Sequence, residues 1–260
     1  MNASPPVPMD LAHAAAHFVS KHCVALLRPD PKQAGQVAMV GSGTLVRLRG
    51  RRFILTATHV WQALRNHPVV HYTLVQRMNH SAQLNRQALT AHSLPEVPDG
   101  HLTPTSPDLT LLELNPIDAD LIETRLSFMN LSRPFVARDD EISQDILVAG
   151  APGKLGKPEL NHLSFELRGV FAEGDVEWDT EGDFEFITLK PTQELDSPIS
   201  FRGGVSGGGL WLISYFPKSG GGIDYEIFLL GVVFWQDGER IRCHSRKSVT
   251  VLAQQMLGTT

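Results

Sequence analysis

Gly204-Val205-Ser206-Gly207-Gly208 sets one hydroxyl in a glycine-rich turn, where a tight loop without side chains leaves backbone N–H groups open beside it. A serine hydroxyl is a useful nucleophile only when an imidazole takes its proton. The imidazole works best when a carboxylate fixes its tautomer and steadies the imidazolium that forms. Working back along the chain, both partners occur in fitting surroundings. Thr56-Ala57-Thr58-His59 closes a strand-like run, and Asp108-Leu109-Thr110-Leu111-Leu112 opens another. Taken singly, His59 reads equally as a polar residue leaving a core, Asp108 as a turn or cap residue and the glycines as a flexible loop. Their joint occurrence is what points to nucleophilic catalysis.

Chain order carries further information, because Ser/His/Asp sites have arisen on unrelated folds in different orders. Here the order is His59, Asp108, Ser206. With these flanks the sequence resembles the trypsin/chymotrypsin family of serine peptidases, in its bacterial, disulfide-free form, over roughly residues 38–257. Thr56-Ala57-Thr58-His59 is similar to the family's Thr-Ala-x-His, Asp108-Leu109-Thr110-Leu111-Leu112 to Asp-Ile-Ala-Leu-Leu, and Gly204-Val205-Ser206-Gly207-Gly208 to Gly-x-Ser-Gly-Gly. The resemblance implies an all-β fold of two antiparallel six-stranded β-barrels, with a short N-terminal helix and a C-terminal helix. The implied division is an N-terminal tail and helix at 1–21, a first barrel at 22–125 carrying His59 and Asp108, and a second at 126–260 carrying Ser206. Ser206 is then the nucleophile, His59 the general acid/base, Asp108 its orienter, and the N–H groups of Gly204 and Ser206 an oxyanion hole. The implied activity is that of a serine endopeptidase, with a protein or peptide as substrate and no cofactor.

Departures from the family pattern modify this picture. Zymogen-activated members carry Asp before the catalytic Ser, where this chain has Val205, so maturation through a new N-terminus is not expected. The glycines at 203, 204, 207, 208 and 209 make the loop entropically costly to order, which predicts a poorly ordered, low-activity resting state organised by a protein or effector. By the same resemblance Ser200 lies at the base of the specificity pocket and offers no charge. Phe234 and Trp235, in Gly231-Val232-Val233-Phe234-Trp235, line the cleft by strand addition, and Gln236 narrows the pocket wall. Ordinary core packing is the alternative for Trp235. The rival to an enzyme is a catalytically idle fold of this type that binds an extended peptide or a partner protein.

Composition agrees with a globular chain. Its 260 residues, 42% hydrophobic and 20% charged, suffice for one or two sizeable cores. A formal net charge of −5 gives no reason to expect a nucleic acid or an anionic membrane surface as partner. Two cysteines, Cys23 and Cys243, make no disulfide framework. Val60 follows His59 where secreted relatives carry Cys, and the segment Gly41-Ser42-Gly43 lacks the matching one, so free thiols and a cytoplasmic location are expected. Ala12-His13-Ala14 has the form of a cleavage site but lacks the basic and apolar regions of a signal peptide, and no run is long enough to span a membrane.

The remaining pattern is β-like. Strands are expected at 23–27, 43–48, 52–56, 69–76, 84–91 and 109–114, then at 145–149, 163–171, 184–189, 210–214 and 223–234. Residues 115–140 read as the crossing between halves, and Arg47, Arg49, Arg51 and Arg52 surround Gly50 in a solvated hairpin turn. Asp10 reads as the N-cap of a helix with Leu11, Ala14, Ala15 and Phe18 on one face, and Val249, Leu252, Ala253 and Met256 as the apolar face of a closing helix. His13, His17 and His22 have a spacing compatible with a metal, but no further ligand type accompanies them, so no metal is expected.

Overall fold

Arg49 and Gly50, both with positive φ (49° and 77°), turn the chain back on itself in a two-residue hairpin, and the strands on either side begin the first of two sheets. The computed structural model describes residues 7–30, 37–67, 69–74, 81–94, 103–151, 157–159, 162–164, 168–172, 176–190, 204–237 and 240–258. The first sheet contains β1 (Cys23–Pro29), β2 (Val37–Leu48), β3 (Arg51–Thr56), β4 (Val69–Leu74), β5 (Ser81–Asn85), β6 (Thr90–Ser93) and β7 (Thr110–Glu113). Their spatial order is β5-β4-β1-β2-β3-β7-β6, with every pairing antiparallel, and the two-residue β8 (Met129–Asn130) adds to β2 in parallel.

The second sheet starts with β9 (Ser143–Gly150). A separate hairpin, β10 (Lys157–Glu159) with β11 (His162–Ser164), follows, and then come β12 (Arg168–Ala172), β13 (Val176–Glu181), β14 (Phe184–Leu189), β15 (Gly209–Pro217), β16 (Ile223–Asp237) and β17 (Arg240–Ser245). The order is β12-β9-β15-β16-β17-β14-β13, again antiparallel throughout. The chain is therefore mostly β, in two antiparallel sheets formed by successive halves of the sequence.

Alternation along the strands divides the apolar side chains among three cores, since neighbouring residues point to opposite faces. Val24, Leu26, Leu45, Ile54 and Leu112 pack inside the first half, whereas Val148, Ile187, Leu210, Val233 and Cys243 pack inside the second. The residues between them in sequence face the other way. Cys23, Ala25, Phe53, Leu55 and Leu111 of the first half meet Leu147, Ala149, Trp211, Ile213 and Leu229 of the second in a shared core. Four aromatic residues, Phe184, Phe186, Phe234 and Trp235, also cross from the second half to pack on the first half's interior.

Four helices complete the described fold, two more than the sequence pattern suggested. Helix α1 (Met9–Ser20) begins after Pro8, and Asp10 lies in its first turn instead of capping it. Its buried face is Ala15, Val19 and Ser20; Ala14 and Phe18 are exposed, because the helix docks one position round from the expected stripe. Helix α2 (Thr58–Arg65) follows β3 directly, and α3 (Pro116–Glu123) occupies the segment read as a plain crossing. Ser245 caps α4 (Arg246–Leu257) by accepting from the N–H groups of Lys247 and Ser248, and Val249, Leu252 and Ala253 enter the shared core as expected. The hairpin arginines are paired more than the expected solvated turn implied: Arg52 bridges Asp120 and Glu123 on α3, Arg47 also meets Glu123, and Arg51 meets Glu113.

The expected strand at 84–91 is broken by a 3-10 turn, Arg86–Ala88, which Asn85 caps. Strands β13 and β17 were not among those expected, their alternation being masked by charged residues. Residues 1–6 of the expected N-terminal tail lie outside the described residues. No helix among the described residues is long and apolar enough to cross a membrane.

Two histidines are buried in these cores. His22 sits between Phe18 and Trp211 and donates from Nδ1 to the Ser127 carbonyl at 2.7 Å, away from the exposed His13 and His17. His244, fully buried, lies against Phe186 and Phe234. Burial pushes both imidazoles down from 6.5 to about 4, outweighing the Ser127 carbonyl at His22 and the Asp108 charge at His244. As pH falls below 6.5 the unfolded chain therefore takes up protons that the folded chain refuses until about 4. Stability, full above that window, is lost through it by on the order of 3 kcal/mol per histidine. Urea unfolding measured near neutrality and near pH 5 should show this fall, and His22→Gln should flatten it by roughly half. An unchanged slope in the variant would refute the assignment.

Candidate active site

His59 lies in the first turn of α2, so its backbone N–H is one of the helix's orphan donors. Ala57 at the N-cap has no side chain to meet it. The Asp108 carboxylate does so instead, accepting the His59 N–H at Oδ1 (2.9 Å) and the imidazole at Nδ1 through Oδ2 (2.6 Å). One carboxylate thus caps the helix and grips the ring. Asp108 is 2% exposed whereas the His59 side chain is 38% exposed, so the imidazole is held at its buried edge. With Nδ1 donating to the carboxylate, Nε2 carries the lone pair of the neutral ring, the form a general base requires. Sequence reasoning left His59 at a strand end; the helix signal was the spacing of Val60, Trp61 and Leu64, all buried.

The serine loop docks against the same strands. Ser42 on β2 donates its N–H to the Ser206 carbonyl at 2.8 Å, and its hydroxyl donates to the Gly204 carbonyl at 2.6 Å while accepting from the Ala151 N–H at 2.8 Å. Thr44 donates to the Gly207 carbonyl at 3.1 Å. Gly41 separates Ser206 from Val60, the residue after His59: a Cβ there would lie 2.5 Å from the Val60 side chain and 3.0 Å from the Ser206 carbonyl oxygen. The Ser206 loop and the helix carrying His59 therefore converge on one glycine. Gly207 comes closer still. A Cβ on it would stand 1.9 Å from the Ser42 carbonyl oxygen and 2.3 Å from Thr56 Oγ1, and its φ of 88° suits glycine alone.

Residues 205–208 hydrogen-bond among themselves and to β16. Gly207 donates to Val233 (2.7 Å), Gly208 to Val205 (2.7 Å), and Val233 back to Gly208 (2.9 Å). Val205, 4% exposed, buries its side chain in the second half's core, so apolar burial anchors the position where zymogens place an ion pair. Among the described residues the N–H groups of Gly204 and Ser206, the two expected oxyanion donors, have no backbone acceptor.

The predicted specificity residues separate. Phe234 is 1% exposed and stacks on His244 (4.4 Å) and Phe186 (5.8 Å), so its side chain belongs to the core and lines no cleft. Trp235 and Gln236 are half-buried. They pair with β17 on one side, whereas β15 pairs with β16 only as far as Val232, so the opposite edge of residues 234–236 has no strand beside it among the described residues. Ser200 lies outside the described residues. Both cysteines are free and buried; burial drives the Cys23 thiol up to about 12 and raises Cys243 as well, so neither is a nucleophile.

Two residues that sequence reasoning passed over hold the site from behind. His244 accepts the Asp108 backbone N–H at Nε2 (3.0 Å), and Arg242 donates from Nε to the Pro104 carbonyl. Nothing in the scattered histidines marked this one out; the period-2 alternation of 240–245, read as a strand, would have paired it with Arg242 on one face.

No family model matches the chain, and no curated protein matches it. A solved structure described by the words "Aromatic interactions drive the coupled folding and binding of the intrinsically disordered Sesbania mosaic virus VPg protein" is similar at 13% identity, over 92% of this chain and 91% of that one, with a TM-score of 0.44. A likeness of that degree carries no argument about this site.

The packing at Gly207 yields a direct test. Gly207→Ala should cost roughly 3 kcal/mol or more in urea unfolding, through the unfavourable φ and the clash with Ser42 and Thr56. Gly220→Ala, at another positive φ but with open space around it, should cost only about 1 kcal/mol. Equal costs would mean that the loop does not dock as described.

Proposed function

We propose that the protein is a serine endopeptidase that hydrolyses peptide bonds through an acyl-enzyme on Ser206. The observation that carries this reading is the buried Asp108 carboxylate holding His59 by two hydrogen bonds, one of them to Nδ1. That arrangement leaves Nε2 as the basic atom. In the proposed reaction Nε2 takes the Ser206 proton as Oγ attacks the substrate carbonyl, and the imidazolium is stabilised by Asp108. The N–H groups of Gly204 and Ser206 receive the developing oxyanion. His59 then returns the proton to the leaving amine, and water, activated by the same base, releases the acid product. The substrate is an extended protein or peptide segment added along the unpaired edge of β16 at 234–236, and no step needs a cofactor.

Within this reading the two halves are the two barrels of a chymotrypsin-type fold. The separate apolar interior of each half, with a third core between them, supports that architecture. The two buried free thiols are compatible with a reducing, cytoplasmic setting.

Intact-mass analysis after treatment with a fluorophosphonate tests the reading. Wild type should gain one adduct and Ser206→Ala none, while His59→Gln and Asp108→Asn should label on the order of 10³ to 10⁴ times more slowly. Gly204→Val should also suppress labelling in a folded protein by about two to three orders of magnitude. Absence of an adduct on folded wild type would sink the peptidase reading and favour a binding module of the same fold.

A further inference from the structure

The carboxylate of Asp108 is fully engaged by His59, which leaves open what holds Asp108 itself. Its residue lies just before β7, at the end of the segment 103–108, and has no ladder partner of its own on that strand. The segment makes a compact turn, Ser106 N–H to the Thr103 carbonyl (3.0 Å) and Thr103 N–H to Ser106 Oγ (2.8 Å). Its tethers to the second half come from one strand. His244 and Arg242, two residues apart on β17, face the same side. His244 takes the Asp108 N–H, and Arg242 takes the Pro104 carbonyl at the segment's other end.

Both tethers are themselves fixed. Arg242, 8% exposed, donates to Thr188 Oγ1 (2.7 Å) and to Asp179 Oδ1 (2.9 Å), with its guanidinium 4.7 Å from the Phe186 ring. The His244 ring is enclosed by Phe186 at 4.9 Å, Phe234 at 4.4 Å and Phe184 at 6.2 Å, and has no exposed surface. Because Nε2 accepts, the neutral ring carries its proton on Nδ1. A protonated ring would present N–H to N–H at Asp108 and lose the contact.

We propose that His244 is a positioning residue for the reaction: through its acceptor nitrogen, and with Arg242 beside it, the second half of the molecule sets where the Asp108 carboxylate stands and hence how His59 is aimed. The proposal rests on the reading of His59, Asp108 and Ser206 as a working triad. It assigns to packing of the two halves a second role, besides docking the serine loop on β2: the orienting acid is also held by the half that carries the nucleophile. Displacing a catalytic group by about 1 Å costs up to about 100-fold in rate.

The test compares wild type, His244→Phe and His244→Gln in the rate of fluorophosphonate labelling as a function of pH. Phenylalanine removes the acceptor while keeping an aromatic ring among the aromatics; glutamine restores an acceptor oxygen. His244→Phe should label about 10- to 100-fold more slowly across the pH range, and His244→Gln should recover most of the rate. A folded His244→Phe with wild-type rate, or a His244→Gln that labels no faster than His244→Phe, would overturn the proposal while leaving the triad intact. Unlabelled folded wild type would instead remove the triad reading beneath it. Should the variants fail to fold, ¹⁵N-histidine spectra of the wild type decide: a His244 ring protonated at Nδ1 and accepting at Nε2 near neutral pH is required, and a ring protonated at Nε2 refutes the proposal.

Discussion

Ser42, which has no exposed surface, joins three parts of the molecule through its own polar atoms. Its N–H meets Ser206, its hydroxyl meets both Gly204 and Ala151, and its carbonyl accepts the Thr56 hydroxyl at 2.8 Å. Each of these groups is in or beside the contact between the two sheets, where an unmet donor or acceptor costs about 1–3 kcal/mol. Satisfying them all requires β2, the end of β3, the end of β9 and the serine loop to approach within hydrogen-bond distance at one place. Gly41 and Gly207 make that approach sterically allowed, since side chains at either position would occupy the space the partners fill. The rest of the site inherits its geometry from this junction.

The same economy governs the acid and the base. A buried carboxylate is costly unless hydrogen-bonded, and a helix N-terminus needs acceptors for its first N–H groups. Asp108 meeting His59 at both backbone and ring answers the two requirements together. The imidazole's orientation is thereby tied to the start of α2, which the apolar contacts of Val60, Trp61 and Leu64 hold in the first half's interior. On the far side the Asp108 backbone is held by His244, deep among aromatic rings that cross from the second half. Polar aim and apolar packing are consequently inseparable: any shift of one half against the other moves the carboxylate, the serine loop and the shared core at once.

Much of this was legible in the residues. Apolar patterning exposed many of the strands, alternating where one face is buried and continuous where both are, as in β15, and the hairpin at Gly50 followed from turn chemistry. Edge strands such as β13 escaped notice: five of its six residues are exposed, so burial imposes no alternation on them. The short helices α2 and α3 span eight residues each, little more than two turns, and went unread although α2 carries Val60, Trp61 and Leu64 at helical spacing. Phe234 was assigned to the cleft from its place in the motif, but it sits on the inward face of β16, against His244.

The sequence by itself determined the chemical inventory: a serine among glycines, a histidine after a strand, an aspartate before one, and enough alternating apolar residues for a β-rich pair of halves. Only the tertiary structure decided how these meet. The Asp108–His59 grip, the Ser42 contacts with the serine loop and the His244 tether join residues separated by 49 to 164 positions in the chain. Local propensity constrains nothing at such separations. Contacts of that kind are selected by which faces of the two sheets bury together and which buried polar groups must find partners there, a condition satisfied by the folded whole.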